Sequence, residues 1–451
     1  MPPMTTRTTR RRVMLLVVLG CLMLQALTAA ACGALPFGVG KQPRPLPPAR
    51  AAFVAEDGQV SVLPLAGGTP QRVSDVATYL PQEAAPGRQE PSAHWPAWSP
   101  DGARLAFVRM LMGSTDTLIV AQLWTVLPDG SDPRKVWEAD DQEPIYFAWA
   151  PNSRQIAMLV QREDDLDLVL LDTGGSEPTR WIGRGNPLYY VWSADSTALL
   201  VHVGSTGQSG TSKPELGIIR LGRAGSEPDS YRTLGVIPSE FRTPGWSADG
   251  RTAAFVAPGP DGAPAVSVVS PEGGDVTRLA ATSSFTALAL AGDGTRLAWS
   301  KRSEQDRIAY DGLEVVTTDG RTRTQVTADL VVAFAWSPDG QRLAFAALDP
   351  GNRGLAWYVA DAAGANARRL GPFSPSLEQI RLLAFFDQYA TSHGLWAPDS
   401  SALVYAVGIP GEQRLFGGPS AGAVQVLAVD GGAQARTLTA GNFVALPVPA
   451  P

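Results

Sequence analysis

The chain has 451 residues, with 37 Lys and Arg against 43 Asp and Glu, a formal net charge of −6, and 44% hydrophobic residues. This balance argues against a nucleic-acid partner, which needs a basic face, and describes a globular rather than a disordered chain. With two cysteines only, Cys21 and Cys32, no disulfide framework exists and packing must supply stability.

At the N-terminus, Arg7, Arg10, Arg11 and Arg12 precede an apolar run from Val13 to Leu27, followed by Thr28-Ala-Ala-Ala31 and Cys32. A basic head, an apolar core and small residues together read as a secretory signal over residues 1–31. The core of about 15 residues is shorter than the roughly 20 that span a bilayer as a helix. Ala29-Ala-Ala-Cys32-Gly33 resembles the lipobox of bacterial lipoproteins, which implies acylation of Cys32 and a lipid anchor in the membrane. Val18-Leu-Gly-Cys21 competes, but Cys21 lies inside the apolar run. Thr9-Arg-Arg-Arg-Val-Met14 also resembles a twin-arginine signal, although basic heads produce such pairs by chance. Residues 32–50, rich in Pro and Gly, suit an extended tether, and two acyl chains suffice for stable anchoring. The first 31 residues hold four of the 37 basic residues and none of the 43 acidic ones, so the exported remainder carries a formal charge of −10.

From residue 51 onward one pentapeptide pattern recurs. Trp98-Ser-Pro-Asp101-Gly102, Trp149-Ala-Pro-Asn-Ser153, Trp192-Ser-Ala-Asp195-Ser196, Trp246-Ser-Ala-Asp249-Gly250, Trp336-Ser-Pro-Asp339-Gly340 and Trp396-Ala-Pro-Asp399-Ser400 are joined by a degenerate copy, Leu290-Ala-Gly-Asp293-Gly294. The steps between copies are 51, 43, 54, 44, 46 and 60 residues, a spacing proper to propeller blades. Each pentapeptide is followed by a short apolar strand such as Leu105-Ala-Phe-Val108, then an alternating strand such as Leu123-Trp-Thr-Val-Leu127, an Asp-Gly or Gly-Gly turn, and a closing strand such as Arg134-Lys-Val136. With the strand that ends at the motif Trp, four antiparallel strands make one blade. The Asp-Gly pair suits a tight turn, whereas Ser153, Ser196 and Ser400 stand where Gly is easiest, predicting strain or another turn type there. The Trp reads as a wedge between blades. Upstream, residues 51–73 supply three strands without an innermost one, and Asn442-Phe-Val-Ala-Leu-Pro447 is a strand left over at the other end. Pairing the two closes the ring and removes its open edges. The expected fold is an all-β propeller over residues 51–447 with velcro closure and a short tail, 448–451; eight blades are expected, or seven if the first three strands pack outside the ring.

The whole unit, Trp-Ser-Pro-Asp-Gly then Leu-Ala-Phe then a strand ending in Asp-Gly or Gly-Gly, resembles the propeller repeat of the TolB family of exported bacterial proteins. The resemblance covers nearly all of residues 51–447. It implies a propeller outside the cytoplasm, but TolB carries a separate domain before its propeller, for which residues 33–50 are too few.

Candidate chemistry is sparse. Gly418-Pro-Ser420-Ala-Gly422 matches a nucleophile elbow, but it sits in a Gly- and Pro-rich loop instead of a strand-to-helix turn. His94, His202 and His393 lack partners at metal-ligand spacing, so neither a metal nor another cofactor is expected, and Glu163-Asp-Asp-Leu-Asp167 reads as a solvated hairpin tip. His94 and His393 both precede a motif Trp and so approach the channel mouth. The connection 375–394 is the most distinctive stretch. Ser376 and Gln379 fit a capping box, and Leu377, Ile380, Leu383 and Phe386 recur at helical spacing. Asp387, Gln388, Tyr389, Ser392 and His393 then crowd into seven positions, as a pocket lining or a hydrogen-bonded plug. The expected function is a noncatalytic, lipid-anchored scaffold for an envelope protein, peptide or glycan, with the loops 77–94, 204–215 and 408–422 as a candidate face. The alternatives are a polysaccharide lyase or hydrolase using the channel mouth, and a sensory or structural envelope protein.

Overall fold

A computed structural model describes residues 46–74, 92–112, 118–140, 142–204, 214–223, 225–239, 242–283, 285–304, 306, 308–349, 354–408, 422–431 and 434–450. Cys32, Ser420 and most of the three long loops lie outside the described residues, as do the signal and most of the tether.

The repeat converts directly into sheets. Residues 92–139, 143–185, 188–236 and 245–281 each form a four-stranded antiparallel meander that begins at the strand ending in its motif Trp. A seven-stranded sheet then covers 286–373, because the single strand Arg323–Trp336 is the outer strand of one meander and the inner strand of the next. Residues 402–440 add three strands, with Trp396 bridged to Leu403 in place of a full inner strand. The remaining sheet joins the chain's ends: Phe443–Ala445 pairs with Arg50–Val54, Ala52 facing Ala445 and Val54 facing Phe443. The leftover C-terminal strand therefore supplies the inner edge that the N-terminal three lack, and the chain is a β-propeller whose described strands fall into eight groups. Among the described residues no helix is long and apolar enough to cross a membrane.

The motif explains how neighbouring groups lock together. Within each turn the Ser hydroxyl donates to the Asp carboxylate, Ser99 to Asp101 and Ser193 to Asp195 at 2.6 Å, Ser247 to Asp249 at 2.6 Å and Ser337 to Asp339 at 2.5 Å. Where alanine replaces that Ser, the third residue still caps the turn: Asp293 accepts from the Thr295 N–H and Asp399 from the Ser401 N–H. The fourth position has positive φ whether it is Gly102 (67°) and Gly250 (73°) or Ser153 (61°), Ser196 (64°) and Ser400 (62°), so the expectation of a different turn type is corrected. The serines bear that strain because each hydroxyl accepts a backbone N–H from the preceding group's turn. Ser153 takes it from Asp101 at 3.2 Å, Ser196 from Asn152 at 2.9 Å and Ser400 from Asp339 at 3.2 Å. The Trp wedges carry a second lock: the indole N–H of Trp149, Trp192, Trp336 and Trp396 donates to Ala97, Ala148, Ala289 and Ala335, the residue before the previous motif position each time. Trp98 itself is 3% exposed.

Because every inner strand runs toward its motif turn, the ring has two chemically different faces. One carries the motif turns; the other carries the connections between groups, including 374–394.

Candidate functional site

The 374–394 connection folds into the channel from the connection face. Ser376 caps helix α1 (Leu377–Ala384) by accepting from the Gln379 N–H at 3.1 Å. Only half of the capping box forms, since Gln379 Oε1 turns away to accept from the Ala406 N–H at 3.0 Å. Leu382 and Leu383 are buried while Ile380 is 38% exposed, so the inward stripe is rotated from the one that the sequence spacing predicts. The chain breaks at Phe385 and resumes as α2 (Phe386–Tyr389), whose Phe386 packs on Phe334 and Tyr310 with ring centres 4.5 and 6.1 Å away.

The polar residues of this stretch contact the ring, and three of them, Asp387, Tyr389 and His393, also line a cavity in the channel. Asp387 is 8% exposed and faces the guanidinium of Arg242 at 3.4 Å, which in turn donates to the Tyr310 hydroxyl at 2.5 Å. Burial pushes the Asp387 carboxyl above its usual range, and the Arg242 charge opposes that rise. The Gln388 carbonyl accepts from the Tyr146 hydroxyl at 2.9 Å, and Tyr389 stacks edge-on to Tyr146. Ser392 bonds the His393 ring at 2.8 Å, and that ring is enclosed by Phe147, Tyr389 and Phe443. Burial lowers the His393 pKa to about 4. His94, bonded to Ser92 at 2.5 Å, is lowered to about 4 by burial and by the nearby Arg381 charge. One short connection thus touches strands on opposite sides of the ring, which is the geometry of a plug.

Two residues with roles here carry no motif signal. Arg242 lies in an irregular connection, and Tyr146 looks like any alternating strand aromatic; only the buried Asp387 without a local cation hints that a distant one must exist. His202 pairs with the Arg242 carbonyl at 3.0 Å, so it braces the same corner. The acidic run 163–167 is not a wholly solvated tip: Asp167 is 2% exposed and clamps Arg184 at 2.6 Å. Among the described residues no three His, Cys, Asp or Glu converge on a metal position.

Beyond the plug a cavity of about 360 Å³ occupies the channel toward the motif-turn face. Its walls include Trp149, Trp192, Trp246, Trp336 and Trp396, its floor Phe386, Asp387, Tyr389 and His393, and its rim Pro100, Pro151, Pro338 and the tail Pro447 to Ala450. Such a concave, largely apolar space with few polar groups has the character of a small-ligand site.

No family model matches the chain, and no curated protein matches it. Solved structures do. A prolyl endopeptidase is 13% identical with a TM-score of 0.53, the match covering 79% of this chain and 50% of that one. TolB from Acinetobacter baumannii is 17% identical with a TM-score of 0.37, covering 61% of this chain and 62% of that one. Oligogalacturonate lyase from Vibrio parahaemolyticus is 13% identical with a TM-score of 0.46, covering 65% and 76%. The chain thus spans about three fifths of the length of that TolB. At these identities the likeness is one of fold.

Proposed function

We propose that the chain is an exported, lipid-anchored propeller of eight blades that works as a noncatalytic scaffold, docking an envelope protein on its connection face. The observation that carries this reading is where exposed apolar side chains gather. Ile145 (37% exposed), Ile237 (49%), Phe285 (54%), Ile308 (61%), Ile380 (38%) and Phe385 (50%) all lie at strand ends, loops or the plug on that one face. Leu46 (58%), Trp181 (52%) and Tyr231 (47%) are also exposed, off that face, but the larger group of apolar side chains left in water favours a partner on the connection face. The plug supports the same reading, since it turns the channel's polar residues inward and offers Phe385 and Ile380 outward. Anchoring rests on Cys32 and the signal before it.

The test is site-specific photocrosslinking in intact cells from positions 285, 308 and 385, with Cys32→Ala fractionated in parallel. A discrete protein adduct from these positions, absent from a probe on the outer strand Arg180–Gly185, and release of the Cys32→Ala chain from membranes are the expected results. Cleavage of a polysaccharide by the purified chain, without any adduct, would replace this reading with the enzymatic one.

A further inference from the structure

The cavity toward the motif-turn face is deep, and the polar groups of its wall are closed to it. Along the single inner strand that ends at Trp336, residues Ala333 to Trp336 and then Ser337 and Pro338 all line it, a depth of roughly 15 Å at about 3.3 Å per residue. The indole walls have no N–H to offer. Trp149, Trp192, Trp336 and Trp396 donate theirs to backbone carbonyls, and that of Trp246 is sealed inside the wall, as are the Thr243 hydroxyl and the His393 Nε2. At the floor the Asp387 carboxylate is turned to Arg242, with its side chain 4% exposed. A ligand with polar groups along its length would lose their hydration here with no bond in return. Methylenes, by contrast, gain in proportion to the area that they bury.

We propose that this cavity takes up one unbranched acyl chain, its methyl end against Phe386 and its polar end at the proline rim. The mouth lies where the propeller's chain begins. Pro47 and Pro48 pack on the Gly102 turn so closely that a Cβ on Gly102 would stand 2.9 Å from Pro47 Cβ, and Pro100 of that same turn forms part of the rim. This entry is fixed by the Arg50 N–H, which donates to the Pro48 carbonyl at 2.8 Å, and by the Leu65 N–H, which donates to Ala49 at 3.0 Å. A chain held from before Leu46 is therefore tethered at the face that carries the mouth, beside the lipids that supply acyl chains, while the connection face points away. That membrane placement rests on the lipid-anchored reading above, whereas the apolar cavity does not.

The experiment is titration of the full-length Cys32→Ala chain, purified without detergent, with cis-parinaric acid, whose fluorescence rises on leaving water. Saturable binding of one molecule is expected. Octanoate, dodecanoate and hexadecanoate are expected to displace it with affinities that climb about threefold per added methylene until the cavity is full. Ala289 and Ala335 line the cavity and keep some exposure, so Ala289→Leu and Ala335→Leu are each expected to weaken binding at least tenfold, with melting temperature checking that both are folded. Phe285→Ser, on the connection face, is expected to change nothing. No binding, no dependence on chain length, or a loss in Phe285→Ser with none in the two filled variants overturns the proposal, and the last result would leave the docking face intact. In cells, a benzophenone side chain at position 290 of the wild-type chain, on the cavity wall, identifies the source. An adduct with a free phospholipid is the expected result, an adduct with the acylated Cys32 peptide would assign the acyl chain to the anchor itself, and the absence of any lipid adduct overturns the proposal.

Discussion

Replacing Asp387 with alanine is expected to cost about 3–5 kcal/mol of stability, because it strips a buried guanidinium of its counter-charge. The Arg242 side chain is 11% exposed and that of Asp387 4%, so water cannot take over the lost partner. Arg242 would retain only Tyr310, by a hydrogen bond and by the ring face at 5.7 Å. A pocket carboxylate held for a ligand would behave differently, since its removal relieves burial of a charge and leaves the fold unharmed. Urea unfolding of Asp387→Ala reads the difference. A double replacement, Asp387→Leu with Arg242→Met, is expected to recover most of the loss by exchanging the ion pair for apolar contact. A cost below about 1 kcal/mol for the single change would mean that the pair is solvated, as exposed pairs are.

The second large effect is on acid stability. His393 and His94 have folded pKa values lowered from 6.5 to about 4. A depressed histidine pKa means that the unfolded chain binds the proton more readily, so stability is complete above about pH 6.5 and drains away as pH falls toward 4. For His393, 2% exposed, the full loss is about 3 kcal/mol at roughly 1.4 kcal/mol per pKa unit. His94 adds in the same direction, helped by repulsion from Arg381 once it is charged. Urea midpoints of the wild-type chain are expected to fall steeply between pH 6.5 and 4.5, and His393→Gln to flatten that slope while lowering stability at pH 7. A midpoint independent of pH in this window would show that both rings stay solvated.

What the sequence made legible and what it hid follow from the range of the interactions. Trp98-Ser-Pro-Asp-Gly102 and its copies are local signals, since a turn, its Ser-to-Asp bond and the following strand lie within ten residues, and the repeat multiplies them. The closing pair Phe443–Ala445 with Arg50–Val54 was readable by subtraction, as a strand without a sheet and a sheet without a strand. At Ser153, Ser196 and Ser400 the strain is readable from the turn alone, but its compensation is not, because it lies 44 to 61 residues away in the preceding turn. The plug is similar. Its residues were legible as a crowded polar cluster, but whether Asp387 faces a ligand or Arg242, 145 residues earlier, depends on the curvature of the ring.

A fixed plug at residues 374–394 closes one end of the channel and leaves docking to the outer apolar face. Hydrogen–deuterium exchange of the amides in residues 379–393 measures this directly. The expected result is protection matching that of the inner strands, with the amides of Gln388, Tyr389 and His393, which bond within the plug, opening only on global unfolding. Exchange within seconds while the strands stay protected would contradict it, and would make the connection a moving lid over Asp387 and His393.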